Sequence, residues 1–271
     1  MLARHRQSLI LEDVRRAGSA RVSELTQRLG VSDMTIRRDL ETLARAGLIE
    51  KVHGGAVLPG SPSSHEPGFE AKSLLAKPQK EAIARAAAAL VVPGTAIALS
   101  AGTTTFALAQ QLLDAPGLTI VTNSVRVAGI FSAARAAGPL GGAAQVVLTG
   151  GVRTPSDALV GPIADSAIRS LHVDQLFLGC HGMDLAAGLT SPNLAEAETN
   201  RAFVHAARRV TVVADHTKWG IVGLSSFAAL DEVDTLVTDH QLHPEASALL
   251  SEQVGELVVA DGGPDGQAAD A

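Results

Sequence analysis

Two groups of residues in this chain have the types and spacing to do chemistry. The first lies in the decapeptide Val31 to Leu40, V-S-D-M-T-I-R-R-D-L. An arginine fork can donate two hydrogen bonds to a guanine edge, and a serine or threonine hydroxyl can hold a phosphate. Ser32, Met34, Thr35, Arg37 and Arg38 are therefore candidate DNA contacts. The second group starts with Ser100-Ala101-Gly102-Thr103-Thr104-Thr105. Here a glycine permits close backbone approach, a helix start offers free N–H groups, and hydroxyls add donors, which is the chemistry of a phosphate cradle. Thr122-Asn123-Ser124, Thr149-Gly150-Gly151 and Asp215-His216-Thr217-Lys218 are similar polar loops. Lys218 could neutralise a phosphate, while Asp215 or the Asn123 amide could hold a hydroxyl. Each of these loops taken singly is better explained by a turn or a helix cap; their shared position at the strand ends is what favours a site. No G-x-G-x-x-G and no G-K-[ST] accompanies them, so the pattern is not that of a nucleotide site.

The first group needs a helix-turn-helix to present it. Leu25 and Leu29 lie four apart, Gly30 can take the left-handed conformation that ends a helix, and Ser32 is a good N-cap for the next. In that next helix Ile36, Leu40 and Leu43 repeat at i, i+4 and i+7 and form one buried stripe. Thr35, Arg37 and Arg38 lie off it. An upstream helix, roughly residues 4 to 17, adds Leu9, Ile10 and Val14 with Leu2; Gly18 closes it, and Ser23 caps the short helix that runs through Leu29. Leu48 to Val52 has strand character, and His53-Gly54-Gly55-Ala56 can reverse the chain into Val57 and Leu58. The sum is a winged helix with Lys51 and His53 on the wing, near the duplex backbone.

A three-helix packing module with a solvated Arg-Arg pair shares this periodicity, and charge adds support to the DNA-reading one. Residues 1 to 56 hold ten Lys/Arg and seven Asp/Glu, a net of +3, which leaves −9 for the rest of a chain whose total is −6. A basic front on an acidic chain suits polyanion binding by the front alone.

The second group needs a sheet. Short apolar runs at Ala96–Leu99, Thr119–Thr122, Gln145–Leu148, Gln175–Leu178, Val210–Ala214, Thr235–Thr238 and Leu257–Val259 read as strands. Helical stretches fall between most of them, at Gln79–Leu90, Thr104–Leu113, Val125–Ala136, Ile163–Ser170 and Leu194–Ala206. Alternation of this kind implies an α/β domain with a mainly parallel sheet buried on both faces, whose ligands bind beyond the carboxyl ends of the strands. The polar loops would all open on that rim.

A Gly/Ser/Pro-rich stretch from Pro59 to Gly68 cannot build a core. The expected organisation is thus a winged helix-turn-helix over 1–58, a linker over 59–71, an α/β domain over 72–260 and a disordered tail over 261–271. With 271 residues and 46% hydrophobic content the chain can bury a sizeable core. No apolar run approaches the ~20 residues that span a bilayer, so the expectation is a soluble cytoplasmic protein without membrane contact. A single cysteine, Cys180, excludes an intrachain disulfide; in L-F-L-G-C-H it reads as a packed core thiol. Nine scattered histidines offer no metal-ligand spacing, and neither metal nor cofactor is expected.

The run R-R-D-L followed by L-x-x-x-G-L-I and H-G-G-A, Arg37 to Ala56, resembles the DeoR family of bacterial transcription regulators. Residues 69 to 240 resemble its sensor domain as well, through A-G-T-T-T, V-T-N-S, L-T-G-G, G-L-T, E-A-E and A-D-H-T-K-W-G. The resemblance implies an N-terminal module on double-stranded operator DNA and a C-terminal domain, similar in fold to sugar-phosphate isomerases, that senses a phosphorylated sugar. By it Gly102, Thr103 and Thr104 would bind the effector phosphate, Asn123, Asp215 and Lys218 would surround the sugar, and Glu196 would stand near the rim. Ser100, Thr105 and Gly151 complete the candidate effector set. Ser100 stands where the family often has an acidic residue, and Asn200 where a lysine is common. The expected protein is a homo-oligomeric repressor, dimer or tetramer, of a carbohydrate-metabolism operon. The alternative is an isomerase-like enzyme fused to a DNA-binding module, for which Glu196 or Asp184 would be the base. The fused basic module ranks the regulator first.

Overall fold

A computed structural model of the chain describes residues 3–17, 19–46, 48–52, 55–57, 68–136 and 144–261. They divide into two compact units, Met1–His65 and Glu66–Ala271.

The first unit contains α1 (Ala3–Ala17), β1 (Ser19–Arg21), α2 (Val22–Leu29), α3 (Asp33–Arg45), β2 (Glu50–Val52) and β3 (Gly55–Val57). Ile10 and Val14 of α1, Leu25 of α2, and Ile36, Leu40 and Leu43 of α3 meet Ala20, Ile49 and Ala56 in one buried cluster. The stripe read from sequence is thus the inner face of α3. Gly30 holds φ +63 between α2 and α3, the left-handed turn that ends α2. The strands form an antiparallel sheet in the order β1-β3-β2. Two features differ from expectation. α2 starts at Val22, ahead of the expected cap Ser23, and Ser19–Arg21 pairs with Gly55–Val57 as a third strand. Three residues carry too little alternation to be read as a strand; their partner is what makes them one. Leu2, Gly18, His53, Leu58 and the tail from Gly262 lie outside the described residues.

The second unit contains α4 (Phe69–Leu74), α5 (Lys77–Ala88), β4 (Ala96–Leu99), α6 (Thr103–Gln111), β5 (Thr119–Thr122), α7 (Val125–Ala136), β6 (Gln145–Leu148), β7 (Val152–Arg153), β8 (Leu159–Val160), α8 (Pro162–Arg169), β9 (Gln175–Leu178), β10 (Gly182–Asp184), β11 (Gly188–Ser191), α9 (Leu194–Ala206), β12 (Val210–Val213), a 3-10 turn (His216–Lys218), β13 (Ser225–Ala228), β14 (Thr235–Asp239), α10 (Pro244–Gln253) and β15 (Glu256–Ala260). All seven expected strands join one sheet in the order β15-β14-β12-β9-β4-β5-β6. Every pairing in it is parallel. Alternate residues feed two cores. Ile97, Leu99, Phe177, Val213 and Val237 pack with α5, α6 and α7, while Ala98, Leu176, Leu178, Val212 and Leu236 pack with α8, α9 and α10.

The strand order fixes where a ligand belongs. From β4 the chain builds outward through β5 to β6, then returns to lay β9 on the other edge of β4. The direction of winding reverses between β4 and β9, and a crevice forms beyond the carboxyl ends of strands at such a reversal. A second sheet, β10-β11-β13, and a β7-β8 hairpin surround that end and were not read from the sequence. Residues 59–67 of the expected linker lie outside the described residues, and helix α4 starts at Phe69, directly after the Gly/Ser/Pro-rich stretch, so it takes in residues 69–71 of the range set for the linker. No described helix is long and apolar enough to cross a membrane.

Candidate functional site

In the first unit, Ser32 caps α3 from an extended conformation. Its Oγ accepts the Thr35 N–H at 3.4 Å and lies 2.9 Å from the Thr35 hydroxyl. With Ile36, Asp39, Leu40 and Leu43 buried, the helix turns Met34, Arg37 and Arg38 to solvent, and Met34 is 76% exposed. Arg37 pairs with Asp33 one turn back, Nε to Oδ1 at 2.5 Å, which raises its pKa. Arg38 is exposed and has no side-chain partner among the described residues. Lys51 sits on β2 opposite Ala56, and His53 lies outside the described residues. Sequence reading missed Asp39. Its buried carboxylate accepts from Arg6 and, at 2.9 Å, from Gln7 of α1, pinning α3 to its support. An acidic residue beside an Arg-Arg pair reads as surface; only the packing of α1 reveals it as an interior tie.

In the second unit a cleft opens at the β4/β9 reversal. Phe69, Lys72, Ala101, Gly102, Thr103, Thr104, Ser156, Gly179, Cys180, His181, Pro192, Glu196, Val213 and Lys218 line it. Gly102 precedes α6 with extended backbone and no side chain caps the helix, so the first-turn N–H groups face the cleft with their partial positive charge. Lys218 enters from the turn after β12, Lys72 from α4, and Glu196 from the first turn of α9, whose N-cap Asn193 accepts the Ala195 and Glu196 N–H groups. The result combines cationic groups and open N–H donors with an acidic acceptor.

Five expected effector residues are therefore brought together on the cleft wall: Gly102, Thr103, Thr104, Glu196 and Lys218. The other five stand behind it. Ser100 is buried and its Oγ accepts the Gly179 N–H at 3.1 Å, tying β4 to the end of β9. Thr105 turns its hydroxyl back to the Gly102 carbonyl at 3.1 Å. The Asn123 amide is spent on backbone, accepting from Ala101 and donating to Leu159. Gly151, at φ +121, lies against β8, where a Cβ would come within 2.7 Å of the Val160 carbonyl. Asp215 is fully buried beneath Lys218. Its Oδ1 accepts the Thr217 N–H at 3.0 Å and its Oδ2 has no hydrogen-bond partner. Burial alone would raise the Asp215 pKa, but Lys218, Lys80 and the Thr217 N–H outweigh it and hold the carboxylate below its usual range.

Other expectations change. Asp184 spends Oδ1 on the Ala186 and Ala187 N–H groups at the β10-β11 turn, away from the cleft. Cys180 packs against the core and also lines the cleft; burial pushes its thiol up to about 12, so it is no ready thiolate. Lys72, Lys80 and His181 were missed, since no motif separates them from surface charges. His216 locks the loop that carries Lys218. Its N–H donates to Asp239 Oδ2 at 2.8 Å, its Nδ1 lies 2.9 Å from Oδ1, and these bonds lower the Asp239 pKa against the effect of burial. Among the described residues no cluster of His, Cys, Asp and Glu is placed to hold a metal ion.

Residues 6–61 match a family model described as the DeoR-like helix-turn-helix domain, and residues 76–240 match the DeoR C terminal sensor domain. YgbI of Escherichia coli K12, named an uncharacterized HTH-type transcriptional regulator, is 38% identical over 96% of this chain and 99% of its own length. The glycerol-3-phosphate regulon repressor of the same organism is 33% identical over 86% of this chain and 90% of its own. Among solved structures, ribose 5-phosphate isomerase A from Methanocaldococcus jannaschii aligns at 15% identity and a TM-score of 0.37, over 52% of this chain and 53% of that one.

Proposed function

This chain belongs to the DeoR family, and from that membership we propose that it is a cytoplasmic homo-oligomeric repressor of a carbohydrate-metabolism operon, released from double-stranded operator DNA by a phosphorylated sugar in the β4/β9 cleft. It is a DNA-binding transcriptional regulator and not an enzyme, as its named relatives are regulators over nearly their full length. Ser32, Met34, Thr35, Arg37 and Arg38 on α3, with Lys51 and His53 on the wing, are the proposed operator contacts. Paired copies of α3 in an oligomer would meet two half-sites, and a ligand that prefers another arrangement of the sensor would change operator affinity by the coupling energy.

One observation carries the effector reading: the uncapped start of α6, with Gly102, Thr103 and Thr104, shares a cleft with Lys218 and Glu196. N–H groups, hydroxyls and an ammonium suit a phosphate, and the carboxylate suits sugar hydroxyls. The test is operator release measured by fluorescence anisotropy across a panel of pentose, hexose and triose phosphates, with the unphosphorylated sugars beside them. Release by one phosphorylated sugar and not by its parent is expected; a response to none, or equal response to the parent, refutes the phosphate reading.

A further inference from the structure

Lys80 is the one residue of α5 whose charge is driven into the protein. It is 4% exposed, and its Nζ donates to the Lys72 and Leu75 carbonyls, each at 2.7 Å. Those carbonyls are the C-terminal end of α4, where a helix leaves acceptors unsatisfied and attracts cations. The chain then turns through Ala76, a non-glycine residue at φ +49, into α5. Such a backbone is strained and persists only where its surroundings hold it. Lys80 is that hold. Its charge is felt by buried Asp215, which Lys218 also stabilises, and Lys72 and Lys218 are the cations near it.

Helix α4 is short, and its outer residue Leu74 is 81% exposed. What it turns inward lines the cleft: Phe69 and Lys72. A second clasp grips its start, where Arg126 pairs with Glu70 at 2.7 Å and lies 4.1 Å over the Phe69 ring, while also binding Asp157 of the β7-β8 loop. Phe69 also packs edge-on against Phe106 of α6. One wall of the cleft is thus a six-residue helix held at its two ends, and it is the first described element of the second unit in chain order.

We propose that Lys80 is a positioning residue that clamps α4 against the cleft, so that Lys72 becomes a ligand contact and α4 registers whether the cleft is filled. The proposal rests on the effector reading for its ligand but not for its clamp. The clamp is a property of the empty protein. The coupling follows because an anion held between the α6 N-terminus, Lys218 and Lys72 ties the wall that Lys80 sets to the floor that Asp215 supports.

Hydrogen exchange by mass spectrometry on the full chain, with and without inorganic phosphate, separates these parts. In the absence of phosphate, Lys80→Met should speed exchange in 69–76 by about tenfold while the strands at 96–99 and 175–178 stay protected. Lys80→Arg, which keeps a donor, should restore most of the protection. Unchanged exchange in 69–76 in K80M overturns the clamp. In the wild type, phosphate should slow exchange at 102–106 and at 69–76 together; in K80M it should slow 102–106 alone. Protection of 69–76 that survives K80M overturns the coupling. Phosphate that protects neither segment in the wild type counts against the effector reading and the coupling, while the clamp is still decided by the phosphate-free comparison. Lys72→Met keeps the backbone carbonyl that Lys80 holds and should weaken phosphate protection at 102–106 about tenfold; no change there overturns the assignment of Lys72.

Discussion

Asn123 Oδ1 accepts the Ala101 N–H at 2.8 Å, and the same amide donates through Nδ2 to the Leu159 carbonyl at 3.1 Å. One buried side chain therefore ties the end of β5 to the loop before α6 and to β8. Asn123→Ala leaves a buried N–H and C=O unpaired, at a cost of about 1–3 kcal/mol. The melting temperature should fall by roughly 2–4 °C per kcal/mol in a unit of this size. The response to effector should weaken too, because the cradle loses its set position rather than a ligand contact. Thermal denaturation and titration calorimetry read both; wild-type values in the two assays would show the amide to be idle.

Arg38 and Arg37 are both exposed on α3, but only Arg37 is shared, with Asp33. Arg38→Ala should weaken operator binding by about 1–3 kcal/mol if it forks onto a guanine, or roughly 5- to 150-fold. Asp33→Ala should act in the opposite direction on non-specific DNA, since it removes a carboxylate from the reading face and frees the Arg37 guanidinium. The slope of log affinity against log salt should steepen by about one. Gel shifts over a salt series test both; equal slopes for wild type and D33A would place Arg37 off the duplex.

The parallel sheet was legible because each strand is a short apolar run, buried on both faces in the middle of the sheet and partly exposed at its edges β6 and β15, and four of the seven, including Thr119–Thr122 and Gln175–Leu178, have the bounds their composition suggests. The α3 stripe was legible because Ile36, Leu40 and Leu43 face a core at one helical period. What stayed hidden depends on partners far away in sequence. β1 exists only through β3, Asp39 matters only through Arg6 and Gln7, and Lys80 is indistinguishable from a surface lysine until the end of α4 closes over it. Within the candidate site, the glycine and hydroxyl loops lie at the strand ends where the sequence put them, but the direction of each side chain was not legible. Ser100, Thr105 and Asn123 sit in those loops and turn inward, because the backbone groups of such tight turns need partners of their own.

Gly151 follows from close packing rather than from ligand chemistry. At φ +121, with the Val160 carbonyl 2.7 Å from where a Cβ would be, alanine must push β8 away from the β6 end. Gly151→Ala should cost about 1–3 kcal/mol through backbone strain alone, and more through the clash. Gly161→Ala is the control, also at positive φ but with open space around its Cβ, so it should cost the strain without the clash. Urea denaturation of the two variants separates the effects. Equal midpoints would mean that β8 moves aside freely.

The charge of the cleft should depend on Lys80. Burial pushes its pKa down from 10.5 to about 8; Asp215 opposes that shift, and Lys218 and Lys72 add to it. Below about pH 8 the ammonium is present and favours an anion nearby; as pH rises through that value one positive charge is lost from the neighbourhood of the cleft residues Lys72 and Lys218. Sulfate, whose charge is fixed across this range, should therefore bind more weakly above pH 8, by on the order of tenfold, with the inflection absent in Lys80→Met. Stability should move the other way. The folded-state pKa is below the unfolded one, so the unfolded chain binds more protons between about 8 and 10.5, and stability rises with pH across that window. K80M should flatten this rise as well. Sulfate titrations and chemical denaturation at matched ionic strength from about pH 7 to 10 check the two trends. Parallel pH dependence in wild type and K80M would assign the titration to another group.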